Sequence, residues 1–312
     1  MAASQTVLRM PQKRTHKDYL LLTLKGFVMG ASDVVPGVSG GTMALILGIY
    51  QELVLSIKSF DTKAVKLLVK GRWQELSSHV AWPFLLSVVS GILLAIFSLA
   101  RLLSWLLHQH PTFVWSFFFG LIMASVLIVS RDIRKWTPSV LLFTLLGGVG
   151  AYLLVGLMPL QTPNAPWYLV MSGAVAICAM ILPGISGAFV LVLLGKYHYV
   201  LEAVSQRDFL VLGLVALGAC IGLILFSRLL GWLLVSHHDK TVGFLTGLMI
   251  GSLRKIWPWK KVSGLSEPAL RPSNTLPSAF DKNVLVCLLL MLLGLCCVLL
   301  LSRMAQKGPT KA

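Results

Sequence analysis

The sequence predicts an all-α, multi-pass membrane protein made of two inverted repeats, each a re-entrant helical hairpin followed by three transmembrane helices. Three observations predict this class. Of the 312 residues, 56% are hydrophobic and 12% are charged, whereas a soluble domain carries about 25% charged residues. Apolar runs of roughly 20 residues, long enough to span a bilayer, recur along the chain. Two of these runs contain the same Pro-Gly motif.

The Pro-Gly motif belongs to an internal repeat. Residues 36–50 match residues 183–197 at seven of fifteen positions, including Pro-Gly, Ser-Gly and the Leu-Gly and Tyr that follow. Residues 101–107 match residues 228–234 at six of seven positions. Each unit then holds one broken segment and three spans. Because three crossings is an odd number, the second unit is expected to be inserted upside down, an arrangement that recurs in transporters.

The apolar pattern sets the boundaries of both units. The first repeat covers 20–158 and the second covers 167–303, between a basic cytoplasmic tail at 1–19 and a second cytoplasmic tail at 304–312. The predicted elements are a hairpin at 20–57 with spans at 81–107, 113–130 and 138–158, then a hairpin at 167–204 with spans at 209–235, 241–257 and 284–302. Each arm of a broken segment is short for a full crossing, which favours hairpins, although two complete crossings would satisfy the same charges.

The net charge of +16 follows the membrane topology and does not indicate a nucleic-acid partner. Lys and Arg cluster at the ends of apolar runs, including the N-terminal tail and loop 58–79, so these segments are predicted to be cytoplasmic. Loop 254–283 carries six Lys or Arg, yet the topology places it outside. The excess charge suits anionic head groups, so membrane lipids are expected partners.

Each break presents a helix start at membrane depth. Its backbone groups must therefore lie within protein or line a wet cavity. Ser39 is placed to cap a helix that begins with Gly40, Gly41 and Thr42, and the next N–H groups are expected to be unpaired and to bind an anion. Ser186-Gly187 repeats this site. The first copy is more polar and is expected to contribute more; the alternative is that these glycines only permit close helix packing.

Four cations are candidate contacts for the anion. Arg101 and Arg228 are repeat equivalents within predicted spans. An intramembrane arginine is costly and usually functional, but one near a helix end can instead reach the interface. Arg254 and Lys255 lie in the outer basic loop, against the usual charge bias, and are candidates for capturing the anion at the outer face.

Two carboxylates are candidates for ion coupling. Asp33 lies just before the first break and would repel an anion unless it were protonated or paired. It is a candidate to carry a proton or a sodium ion, or to pair with Lys25 or an arginine. Glu52 lies near the hairpin mouth and is a second candidate.

The five cysteines lie in apolar segments without ligand spacing, so we expect no metal, no bound cofactor and no catalytic residue.

Several motifs together resemble a known bacterial family. They are Gly-Ala-Ser-Asp-Val-Val-Pro-Gly-Val-Ser-Gly-Gly-Thr at 30–42, Gly-Ile-Tyr-Gln-Glu at 48–52, Ala-Met-Ile-Leu-Pro-Gly-Ile-Ser-Gly at 179–187 and Gly-Leu-Met-Ile-Gly-Ser-Leu-Arg-Lys-Ile-Trp-Pro-Trp at 247–259. The family is long catalogued as domain of unknown function 368 and is associated with undecaprenyl-phosphate translocation. The resemblance implies an inner-membrane flippase that returns this anionic polyprenyl-phosphate carrier from the outer to the inner leaflet for peptidoglycan and cell-envelope synthesis.

The leading hypothesis is therefore a polyprenyl-phosphate transporter in the bacterial inner (cytoplasmic) membrane. A small-anion channel or exchanger is the first alternative, since helix ends at mid-membrane also bind small anions. An intramembrane serine hydrolase is the second, because Gly-x-Ser-Gly also surrounds the nucleophile of such enzymes. It would need a histidine within a span, and the histidines of this chain map to turns and hairpin ends. The oligomeric state is left open between monomer and homodimer.

Overall fold

The computed structural model describes residues 14–33, 39–160, 162–261, 273–277 and 280–306, and the described chain is mostly helical. In chain order its elements are α1 His16–Asp33, α2 Gly40–Ile46, α3 Tyr50–Lys58, α4 Thr62–Val69, α5 Trp73–His79, α6 Trp82–Gln109, α7 Pro111–Ser130, α8 Pro138–Val155, α9 Pro166–Ile181, α10 Gly187–Leu193, α11 Tyr197–Gln206, α12 Phe209–Ser236, α13 His238–Ile256, β1 Lys260–Lys261, β2 Ser273–Asn274 and α14 Lys282–Gln306. The two short strands pair antiparallel and are the only departure from helix among the described elements.

Five helices are long and apolar enough to cross a membrane: α6, α7, α8, α12 and α14. The number rises to seven if each bent pair, α2 with α3 and α10 with α11, counts as one span. Helix α13 fills the predicted span at 241–257 but is not among these helices. It carries Asp239 and Lys240 in its first turn and Arg254 and Lys255 in its last, which lowers its mean hydropathy.

The helices pack in pairs that recur between the two halves of the chain. Helix α1 packs on α6, as α9 packs on α12. The last helix of each half packs on the other half: α8 lies against α13, and α14 lies against α7. Glycines allow these close contacts, since a Cβ added at Gly91 of α6 or at Gly218 of α12 would collide with the backbone of the partner helix.

The first broken segment ends beside its own start. Helices α2 and α3 are bent by 117°. Arg14, just before α1, forms a salt bridge of 2.7 Å with Glu52 on α3. The ammonium of Lys25 donates to the carbonyl of Leu47 at 2.9 Å. The end of this segment therefore lies beside its start, as both a re-entrant hairpin and two complete crossings require.

The second broken segment has the same form. Helices α10 and α11 are bent by 106°. Lys196, in the turn between them, is buried and donates to the carbonyl of Thr162 at 2.8 Å and to Asn164 Oδ1 at 2.6 Å. Both acceptors lie just before α9, so this segment also finishes where it began.

The loops of the described chain meet in two groups. The N–H groups of Arg134 and Lys135, between α7 and α8, donate to the carboxylate of Asp239 in the first turn of α13. The turn at 109–113 borders a cavity of about 530 Å³ together with Trp259 and the start of α14. Trp259, Pro277 and the start of α14 therefore lie at the same end of the molecule as the α6–α7 turn.

The basic segment at 58–79 is helical, although the sequence was expected to form a loop there. Asp61 caps α4 by accepting a hydrogen bond of 2.9 Å from the N–H of Ala64. Gly71 takes a positive φ of 67° at the turn into α5. Asp61 therefore starts α4, and the turn at Gly71 separates α4 from α5. Both helices are too short to be recognised as membrane spans from the sequence.

Candidate functional site

The two chain breaks meet in the interior of the protein. Pro36 and Gly37 lie outside the described residues, but Ser39 and the start of α2 contact the second break directly. Thr42 Oγ1 accepts a hydrogen bond of 3.0 Å from the N–H of Gly184. The hydroxyl of Ser39 lies 3.3 Å from the carbonyl oxygens of both Met180 and Leu182. The repeat thus places its two copies against each other.

The first break is fully packed by the second. Ser39 is 1% exposed and Thr42 is 0% exposed. A Cβ added at Gly41 would lie 2.5 Å from the carbonyl oxygen of Ile181. Because Gly41 has no side chain, the opposite break can approach it closely. This is the role that the packing alternative assigns to these glycines.

The expectation that the N–H groups of the first break are unpaired is wrong. Asp33 Oδ1 accepts from the N–H of Gly40 at 2.7 Å, and Ser39 Oγ accepts from the N–H of Gly41 at 3.1 Å. The N–H of Thr42 donates to the carbonyl of Ser39 at 3.0 Å. The carboxylate of Asp33 takes the place that an external anion would have at this helix start, because both would bind the same partly positive N–H groups. Asp33 pairs with backbone and not with Lys25.

The second break is buried at Gly184 and Gly187, half-buried at Ser186 and exposed at Ala188. Helix α10 begins at Gly187, and its cap residue Ser186 makes no side-chain capping bond. In the described chain the N–H groups of Gly187, Ala188 and Phe189 have no hydrogen-bond acceptor, and Ala188 is exposed. At the first break, by contrast, Asp33, Ser39 and Thr42 are all engaged in hydrogen bonds within the protein.

A cation faces the second break. The ammonium of Lys255, in the last turn of α13, lies 3.0 Å from the centroid of the Phe189 ring. An ammonium over an aromatic face is attracted by the ring electrons. Lys255 forms no ion pair with a carboxylate among the described residues. The same part of α13 borders the break itself, because Gly184 is surrounded by Leu248, Met249 and Ser252.

The other basic side chains near Lys255 are held by backbone and rings. The guanidinium of Arg254 donates to the carbonyl of Tyr152 at 2.9 Å and lies 4.2 Å from the centroid of that tyrosine ring. Lys260 donates to the carbonyl of Lys255 at 2.5 Å and lies 5.3 Å from the Trp115 ring. Burial lowers the pKa of Lys260. Of the predicted pair Arg254 and Lys255, the structure brings only Lys255 to a break.

Comparison with known proteins decides the family. Residues 29–269 match the family described as VCA0040-like, undecaprenyl phosphate translocase-like. The chain belongs to the VCA0040-like family. This confirms the resemblance read from the Pro-Gly motifs and their neighbours.

Two relatives of this VCA0040-like chain are named polyprenyl-phosphate transporters. One, from Vibrio cholerae serotype O1, is 43% identical over 303 residues, which cover 93% of this chain and 98% of the relative. The other, from Staphylococcus aureus, is 34% identical over 257 residues, which cover 75% of this chain and 85% of the relative. No solved structure matches the chain. Together with the five long apolar helices, these relatives indicate a multi-pass membrane protein.

The remaining predicted site residues of the VCA0040-like chain form no hydrogen bond with either break among the described residues. The side chain of Arg101 is not described. Arg228 is half-buried on α12 and makes no hydrogen bond or ion pair with any described residue. Glu52 pairs with Arg14 at the mouth of the first segment. The structure therefore separates Glu52 from Asp33, the other candidate for ion coupling.

The structure also adds Tyr50, which sequence reasoning did not single out as a site residue. Its hydroxyl donates to the carbonyl of Ile181 at 3.2 Å, so a residue from the end of the first hairpin reaches the second break. The signal was present, because Tyr50 and Tyr197 are repeat equivalents. Only the first of them is buried, however, and the repeat alone does not show which copy points inward.

The contacts at the two breaks are hydrogen bonds among hydroxyl, carboxylate and backbone groups. Within the described part of the chain, no three or more His, Cys, Asp and Glu side chains are grouped to hold a metal ion. The hydroxyl of Ser39 caps α2 and contacts backbone carbonyls, and neither it nor Ser186 contacts a described histidine. A serine nucleophile needs such a base within hydrogen-bond reach.

Proposed function

We propose that this protein is a transporter that moves polyprenyl phosphate, undecaprenyl phosphate in particular, from the outer to the inner leaflet of the bacterial cytoplasmic membrane. The names of its two relatives support the substrate class. The direction and the role in recycling the carrier for cell-envelope synthesis follow from the resemblance described above. No observation on the described residues favours a small-anion channel or a hydrolase.

The phosphate is proposed to bind at the second break. The observation that carries this assignment is the ammonium of Lys255 beside the start of α10, where Ala188 is exposed and the N–H groups of Gly187 and Ala188 have no acceptor among the described residues. Both features attract a negatively charged group, and neither is neutralised by a carboxylate in the described chain. Ser186 offers a further hydroxyl at the same place. Arg228 and, by repeat equivalence, Arg101 are proposed as later contacts for the head group.

The first break is proposed as the coupling element. Asp33 holds the Gly40 N–H in this structure. A proton or a sodium ion on this carboxylate would weaken that bond and release the first helix start to face the phosphate. The inverted relationship of the two repeats would then give each leaflet one break that opens toward it.

The test is transport in proteoliposomes that contain polyprenyl phosphate, measured as the loss of phosphate accessible to an impermeant reagent in the outer leaflet. Lys255→Gln should reduce transport strongly. Lys282→Gln is the matched control, because Lys282 is an exposed cation at the start of α14, near the same loop. An equal effect of both substitutions would refute the site, and flux of small anions without any lipid movement would favour a channel.

A further inference from the structure

Helices α4 and α5 form a small folded unit between the first hairpin and α6. Their shared core consists of Ala64, Leu67, Leu76 and Val80, and it packs on Phe60 and Leu85. The imidazole of His79 lies 3.0 Å from the carboxylate of Asp61 and ties the end of α5 to the start of α4. The pair is therefore held in a fixed position at the start of the first long apolar helix.

This unit leaves large apolar side chains uncovered. Val69 is 81% exposed, Trp73 is 66% exposed and Leu68 is 48% exposed. They lie close together in sequence on either side of the Gly71 turn. The shared core therefore covers only part of the apolar surface of α4, because Leu67 is buried while Leu68 and Val69 are exposed. Exposed apolar groups of this size mark a contact surface.

Cations lie on the remaining face of the same helix. Lys63, Lys66 and Lys70 are exposed and follow the i, i+3, i+7 spacing of one helical face. Arg72 is exposed in the turn and pairs with Glu75, the one carboxylate on α5. An apolar face flanked by lysines is the pattern of a helix that lies in a membrane surface.

We infer that α4 and α5 dock on an anionic lipid surface, with Val69, Leu68 and Trp73 in the head-group region and the lysines at the phosphates. The charge of this surface identifies the partner, since a surface with lysines beside exposed apolar side chains complements anionic lipids. The position of α4 and α5 in the chain also supports a lipid partner, because α6, a helix able to span a membrane, begins two residues after Val80. Trp82 at the start of α6 contacts Phe60 edge-on, with 5.2 Å between the ring centroids. The second half has no counterpart, because α11 and α12 are separated only by Arg207 and Asp208.

A spin label introduced by Val69→Cys tests this docking. The background is the full chain with its five native cysteines replaced by alanine, reconstituted in vesicles of equal parts phosphatidylglycerol and phosphatidylcholine. Accessibility to oxygen, which concentrates in lipid, is compared with accessibility to an aqueous nickel chelate. Ser78→Cys is the matched control, since Ser78 is exposed on α5 away from its buried face.

The ratio of oxygen to nickel accessibility should be several-fold higher at position 69 than at position 78. The ratio should fall toward the control in pure phosphatidylcholine, and also when Lys63, Lys66 and Lys70 are changed to Gln. Free access of nickel at position 69 would overturn the inference, and so would protection from both reagents, which indicates a protein partner or a second copy. If the alanine background does not fold, tryptophan fluorescence replaces the spin label. The emission of Trp73 is obtained as the difference between the unmodified chain and Trp73→Phe. Quenching of this emission by brominated lipid supports docking, and quenching by iodide contradicts it.

Discussion

Thr42 Oγ1 accepts a hydrogen bond of 3.0 Å from the backbone N–H of Gly184, and this bond joins the two broken segments of the chain across 142 positions. Thr42 is fully buried, and Gly184 has a positive φ of 87° that favours glycine. The contact is therefore specific in both partners. It closes the first break against the second, and of the residues that begin the two short helices only Ala188 of α10 is exposed.

Replacing Thr42 by Val should destabilise the protein. The substitution keeps the shape but leaves the buried N–H of Gly184 without an acceptor, which costs about 1–3 kcal/mol. The measurement is thermal unfolding in detergent, where the midpoint should fall. Thr42→Ser keeps the hydroxyl and should lose less. Equal midpoints for the Val and Ser variants would contradict the role of this bond.

Gly41→Ala should separate the two breaks. The added Cβ would meet the carbonyl oxygen of Ile181 at 2.5 Å, a contact that backbone can relieve only by moving. Overpacking of this kind costs about 1–3 kcal/mol. Gly213→Ala on α12 is the control, because a Cβ there meets nothing within 4 Å. The thermal midpoint should drop for Gly41→Ala and stay level or rise for Gly213→Ala; the reverse order would count against the packing described.

Asp33→Asn should uncouple transport from the driving ion. The amide oxygen of Asn can still accept from the Gly40 N–H, so folding should be preserved, but the side chain can no longer gain or lose a proton or balance a sodium ion. Transport should be measured with and without proton and sodium gradients. The unmodified protein should respond to one of them and the variant to neither. A full response in the variant would exclude Asp33 as the coupling group.

Arg254→Gln should affect stability more than phosphate binding. The guanidinium is bound to the Tyr152 carbonyl and ring, which links the end of α13 to α8. Its loss should lower the thermal midpoint, whereas the apparent affinity for polyprenyl phosphate should change little compared with Lys255→Gln. A large loss of affinity with an unchanged midpoint would place Arg254 in the binding site instead.

The sequence was sufficient for the helical membrane class and for the meeting of the two breaks, because both rest on patterns that extend over many residues. It was insufficient for the contacts within the breaks. Asp33 and Gly40 are seven positions apart, a spacing at which the sequence pattern does not predict a contact. Arg254 and Lys255 are neighbours in sequence but point to different partners, Tyr152 and Phe189, because successive helical residues lie about 100° apart. The helices α4 and α5 were missed since neither is long enough to register as a span.

The exchange of terminal helices between the halves limits how this protein can move. Because α8 lies on α13 and α14 lies on α7, while α7 and α13 also touch, these four helices form one shared scaffold. Rocking one half rigidly against the other would break the contacts of α8 with α13 and of α14 with α7. For the proposed transporter, access is therefore expected to alternate by a shift of the two hairpins with their partners α6 and α12, while the four shared helices keep their contacts.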